Sequence, residues 1–174
     1  MLVFVSNCKN NLDCDLANER AFNVILEERN YDKALKFIEN CQDQKSLYLR
    51  SKIYFKQENY VDALKIMNEK IKLAEDDHVR YFYKAILNLK LNDSINFNQN
   101  IDQSLSILHE KIINEKYLTD DLYNYAFYYI FKTQNKEKLY EEFRKLKIEN
   151  DDLTSFVEEL SIRESYDEFF ENSL

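Results

Sequence analysis

Few side chains in this chain are suited to chemistry: two histidines, His78 and His109, and three cysteines, Cys8, Cys14 and Cys41. The histidines lie far apart, and neither sits in the His-x-x-x-His spacing that brings two ring nitrogens onto one helix face for a metal. Each reads as a surface or helix-end histidine. The cysteines form no Cys-x-x-Cys pair and have no neighbouring His to activate a thiolate. Carboxylates cluster in "AEDD" (74–77), "TDD" (119–121) and "ENDD" (149–152). Acidic residues at such positions cap free amides and complement the positive end of a helix, which is a structural role. No catalytic residue, metal-ligand set or cofactor motif is therefore expected, and the chain reads as non-enzymatic. An enzyme whose site is not written in these spacings is the third-ranked reading.

The elements that would carry any site follow from composition. The chain has 174 residues, 45% of them hydrophobic, and no glycine or proline. That length can bury a sizeable core in one domain or one short repeat array. Without glycine, turns that need positive φ, β-bulges and phosphate-cradling loops are disfavoured, which leaves helices joined by short Asn, Asp and Ser loops. The formal net charge is −8, so a nucleic-acid partner held by counterion release is not expected. No apolar run approaches the ~20 residues needed to span a bilayer.

Internal repetition is the strongest signal. "NYDKALKFIENC" (30–41) returns as "NYVDALKIMNEK" (59–70). Apolar residues at helical spacing predict a first helix from Asp15 with Leu16, Phe22, Ile25 and Leu26, capped by Asp13 or Asp15. After a turn at Asn30, a second helix carries Ala34, Leu35, Phe37 and Ile38. The next pair bears Leu47, Ser51, Ile53 and Tyr54, then, past Asn59, Tyr60, Ala63, Leu64, Met67 and Ile71. A third pair has Tyr81, Phe82, Ala85, Ile86 and Leu89, a long polar loop over 92–100, then Ile101, Leu105, Leu108 and Ile112. A fourth has Leu122, Ala126, Phe127 and Ile130, then Leu139, Phe143 and Leu146. Leu153, Phe156, Val157 and Leu160 predict a C-terminal capping helix, followed by the tail "RESYDEFFENSL".

These pairs resemble the tetratricopeptide repeat, which sets a large, a small and an aromatic residue on its first helix and Ala-x-x-x-Phe on its second. Leu47, Ser51, Tyr54, Ala63 and Met67 occupy those positions in the second pair. Ser51, Ala85 and Ala126 fill the small crossing position in successive pairs, the first two one family period apart. The first pair keeps Ala34 and Ile38 but places Phe22 at the crossing. The fourth places Lys138 at the alanine, with Leu139 and Phe143 shifted by one. The resemblance spans about residues 13–147 and implies an all-α, right-handed solenoid of antiparallel helix pairs. Residues 1–12 would be an N-terminal extension and 13–174 a single helical repeat domain. A plain bundle with one duplicated hairpin is the alternative.

The resemblance further implies that the first helices line a concave groove for a protein segment. Carried over, the groove would comprise Tyr48, Lys52 and Phe55, flanked by Lys45 and Lys56; Phe82 and Ile86, flanked by Leu89 and Lys90; and Tyr123, Phe127 and Phe131, with Ile130. Such a strip, aromatic with a basic edge, suits an acidic or amphipathic protein segment. The competing reading puts several of these aromatics in the core. The expected function is thus an adaptor or subunit of a larger assembly. The alternative is an inhibitor or immunity-type protein that masks a basic partner with its acidic surface. Cys14 begins one helix of a hairpin and Cys41 ends the other, so a disulfide is expected in an oxidising compartment and buried thiols in a reducing one. The reading leans to thiols and a cytoplasmic protein. An envelope lipoprotein anchored through Cys8 would require signal residues upstream of Met1.

Overall fold

The computed structural model describes residues 7–70, 72, 77–148 and 151–160, with side chains described from residue 14 onward. Ile71, Glu75, Asp76, Glu149, the tail at 163–174 and the Cys8 side chain lie outside the described residues. Among the described residues every regular element is an α-helix: α1 (Asn7–Glu28), α2 (Tyr31–Ile38), α3 (Gln44–Lys56), α4 (Tyr60–Glu69), α5 (His78–Lys90), α6 (Ser94–Ile113), α7 (Thr119–Thr133), α8 (Lys136–Leu146) and α9 (Asp151–Glu159). The chain divides into two compact units, Met1–Leu73 and Ala74–Leu174. In the first, α1 packs on α2 and α3 on α4, with α3 also touching α1 and α2. In the second, α6 packs against both α5 and α7, and α7 meets α8 and α9.

One connector recurs. Arg29, Glu58, Asn92 and Gln134 end helices in the left-handed region, with φ between 50° and 59°. The very next residue, Asn30, Asn59, Asp93 or Asn135, caps the following helix by accepting the N–H of the residue three further on. At two of these joints the loose carbonyls of the ending helix are taken up fully: Asn59 N–H reaches Tyr54 O at 2.8 Å and Asp93 N–H reaches Asn88 O at 2.8 Å. That six-to-one bond is the usual helix stop, and it normally recruits glycine. Glycine-free composition disfavours positive-φ turns, yet the chain makes them with Arg, Glu, Asn and Gln, and again with Glu115 and Lys147. Each costs about 1 kcal/mol, offset at Glu58 and Asn92 by the bonded stop and the cap beside it, at Arg29 and Gln134 by the neighbouring cap, and at Glu115 and Lys147 by the six-to-one bonds of Lys116 N–H to Lys111 O and Ile148 N–H to Phe143 O. The repeated phrase is therefore a turn and its helix written twice.

Pair positions are laid down largely as the periodicity predicts. Ala34 and Ile38 are wholly buried, as are Ser51, Ala63, Ala85 and Ala126. Ser51 Oγ–H donates to Ala63 O at 3.1 Å, which draws α3 and α4 together where neither carries bulk. Three expectations need correction. Asp13 and Asp15 do not cap α1, because that helix has already begun at Asn7. At the first crossing the small residue is Ala21, wholly buried beside Ala34, and Phe22 points away at 41% exposure. One step along a helix turns a side chain by about 100°, so a one-residue misplacement is enough. Finally, residues 94–100 are helix, not loop. Asp93 caps the segment, while Asn98 and Asn100 donate to the carbonyls of Ser94 and Asn96. Buried Ile101 and Leu108 continue the same helix against α5, so packing overrides a weak local propensity.

Candidate interaction surface

In the first unit, Lys45, Tyr48, Lys52, Phe55 and Lys56 recur on one side of α3 at steps of three, four, three and one. The inward positions are Leu47, Ser51 and Ile53, all buried. Asp43 starts the helix by accepting Ser46 N–H at 3.0 Å. α3 carries Lys45, Arg50, Lys52 and Lys56 and no acidic residue, in a chain whose net charge is −8. Lys52 Nζ stands 4.9 Å from the centre of the Tyr48 ring, a cation–π arrangement. Phe55 meets Tyr60 edge-on at 5.3 Å. Burial, and then the charge of Lys56, lower the Lys52 pKa to about 8. A partly desolvated ammonium beside another cation gains from any anionic group brought near it.

The remaining groove residues lie in the second unit, and most of them serve its core. Phe82 and Ile86 are wholly buried and Phe127 is 9% exposed. Phe82 stacks on Tyr128 with centroids 3.9 Å apart and meets Phe127 and Phe131 edge-on. These three side chains, expected to face a partner, are enclosed because α5 and α7 turn their aromatics toward one another. Phe131 and Tyr123 are half-buried. Tyr123 meets Phe156 of α9 edge-on at 4.9 Å, and α9 buries Leu153, Val157 and the following Leu160.

A polar node at the start of α5 went unread in the sequence. His78 is at a helix end, as expected, but it is buried. Its Nε2 lies 3.3 Å from Asp121 Oδ1 and its Nδ1 3.5 Å from the Tyr128 hydroxyl. Lys111 Nζ approaches the same Asp121 oxygen at 3.5 Å, while Asp121 Oδ2 accepts Leu118 N–H at 2.9 Å. Ser104 Oγ–H donates to His78 O at 2.7 Å. Burial and the Lys111 charge lower the His78 pKa, against the opposing pull of Asp121 and Asp77. The neutral ring can then donate from Nε2 and accept at Nδ1, so the node joins α5, α6 and α7. Five side chains from three helices meet here with no local spacing to announce them. His109 lies apart, half-exposed near Glu142 at 3.8 Å.

Cys14 and Cys41 are joined as a disulfide with Cα atoms 5.7 Å apart. The lean toward free thiols gives way here, because the hairpin of α1 and α2 brings the two positions within bonding reach. No described helix is long and apolar enough to cross a membrane. Elsewhere in the second unit an open cleft of about 750 Å³ lies over α8 and the start of α9, lined by Glu137, Tyr140, Glu141, Arg144 and Asp151 among others. These residues include no nucleophile set beside a base.

Fold and surface together define, among the described residues, an all-helical protein whose helix pairs close over joints of two or three residues. Comparison with protein-family models, with curated proteins and with solved structures finds no match to this chain.

Proposed function

We propose that this chain is a non-enzymatic protein-interaction module, a divergent tetratricopeptide-like array that holds an acidic, aromatic-containing protein segment against α3. One observation carries the reading: α3 gathers four cations and no anion in an acidic protein, with Tyr48, Lys52 and Phe55 on one side. A carboxylate-bearing segment would offset the charge of Lys52 and Lys56, and aromatic side chains supply contact area at small entropic cost. Within the second unit, buried Phe82, Ile86 and Phe127 then act as scaffold.

The test is capture from the source cells followed by mass spectrometry, comparing wild type with Lys45→Glu/Lys56→Glu. Both substitutions are on the outer side of α3, so the melting temperature should stay within a few degrees. Loss of a partner that wild type retains supports the reading. Equal capture by both proteins, weakening steeply with salt, would point instead to the acidic exterior and an inhibitor of a basic protein.

A further inference from the structure

The neighbourhood of the Cys14–Cys41 bond holds more than a crosslink. The two sulfurs and a carboxylate oxygen of Asp43 all lie within 4.8 Å of one another. Cys41 is buried, and Cys14 is half-buried and offers a route from solvent. Asp43 is firmly held: Oδ1 accepts Ser46 N–H at 3.0 Å and Asn18 Nδ2–H at 3.4 Å, while the Ser46 hydroxyl lies 2.5 Å from Oδ2. Oδ2 keeps a lone pair beyond its contact with Ser46.

Reduction of this bond would leave two thiols pressed against a carboxylate at the end of a hairpin. We propose that the reduced first unit binds one thiophilic divalent cation of the zinc class through Cys14 Sγ, Cys41 Sγ and Asp43 Oδ2, with water as the fourth ligand. A dithiol reductant takes up the two oxidising equivalents as its own disulfide, a phosphine takes them up as its oxide with oxygen from water, and each protein thiol releases one proton on binding the cation. Bonds of about 2.3 Å to sulfur and 2.0–2.2 Å to oxygen put tetrahedral ligand atoms roughly 3.4–3.8 Å apart. The sulfurs therefore need only separate by side-chain rotation, since the backbone positions are already close. Thiolates select zinc-class ions over magnesium or calcium. Ser46 and Asn18 would orient the carboxylate, as outer partners do in metal sites.

Charge also balances. Two thiolates, one carboxylate and a divalent cation sum to −1. The Arg50 guanidinium donates to Cys41 O at 2.9 Å, and its Nε is enclosed with no hydrogen-bond partner among the described residues. The amide end of α3 is adjacent, because Asp43 is its cap, and it too favours net negative charge.

The experiment titrates Cd²⁺ into full-length protein carrying Cys8→Ser, reduced with a non-thiol phosphine and then compared with the oxidised form. Expected for the reduced form are one cation per chain, an ultraviolet thiolate-to-cadmium charge-transfer band, displacement by Zn²⁺ and unchanged helical circular dichroism. The oxidised form should give no band, and Cys14→Ser should abolish it. Asp43→Asn keeps the helix cap and should weaken binding by about 10–100-fold, the loss typical of a disturbed metal shell. Absence of the band in reduced protein, binding only with loss of helicity, or Asp43→Asn binding as tightly as its parent would each overturn the proposal.

Discussion

The two units solve the same packing problem with different side chains. Among the described residues, the first unit buries aliphatic residues and no aromatic: Ala21, Val24, Ile25, Ala34, Ile38, Leu47, Ile53, Ala63 and Met67, besides Cys41. Its aromatics Phe22 and Phe37 remain 41% and 37% exposed. The second unit buries Phe82, Tyr83, Tyr125, Phe127, Tyr128 and Phe143. Small residues let helix axes approach closely but remove little apolar area from water. Aromatic residues bury about 150–250 Å² each. The unit with the leaner core is the one with a covalent bond across its hairpin, and the unit with the richer core accommodates a buried polar node.

The sharpest break in this comparison is expected at Phe82. Phe82→Ala should destabilise the second unit by about 3–5 kcal/mol, seen as an earlier urea midpoint in far-ultraviolet circular dichroism. A loss below about 1 kcal/mol would mean that the aromatic stack is not the core. Next comes the crosslink, which closes a loop with a sequence separation of 27 residues. Loop-closure entropy gives Cys41→Ser a cost of about 3 kcal/mol in the first unit. An equal shift in both units' transitions would show that the bond is not local in its effect.

A smaller effect should follow pH. The folded protein disfavours protonated His78, so the unfolded chain binds a proton that the folded one refuses. His78 thus supports the second unit fully above pH ~6.5, and that support falls as pH drops, by at most about 1.4 kcal/mol per pH unit. Denaturation between pH 7 and 5 should show this slope, and His78→Gln should flatten it. An unchanged slope would place the titration elsewhere. The smallest effect is at a helix stop. Glu58 sits at φ 59°, and Glu58→Gly should stabilise the first unit by about 0.5–1 kcal/mol by removing the β-carbon clash. A net loss of stability would show that the Glu58 side chain contributes more than its strain costs.

What was legible in the sequence is what repeats locally. Ala34/Ile38 and Ala63/Met67 are four residues apart in phrases that share their letters, and all four side chains are buried. The turns at Asn30 and Asn59 could be read because an Asx residue after an apolar stretch favours a break; that each caps the next helix comes from the structure. Ala21 was missed because Phe22, one step away, is larger and more apolar, and size is a poor guide where two helices cross. Phe82 and Phe127 fit a groove and a core equally well in the sequence, because period alone does not say whether a second helix covers a stripe. The His78, Lys111, Asp121 and Tyr128 node depends on three helices meeting and has no local signal at all.

The short joints also govern time. A pair such as α1 with α2, or α5 with α6, brings together residues that are close along the chain, so its loop-closure entropy is met early and helix docking can proceed in microseconds to milliseconds. The chain contains no proline, so no prolyl isomerisation lasting tens of seconds can interrupt that docking. With glycine also absent, the unfolded backbone explores fewer conformations per residue before each joint closes.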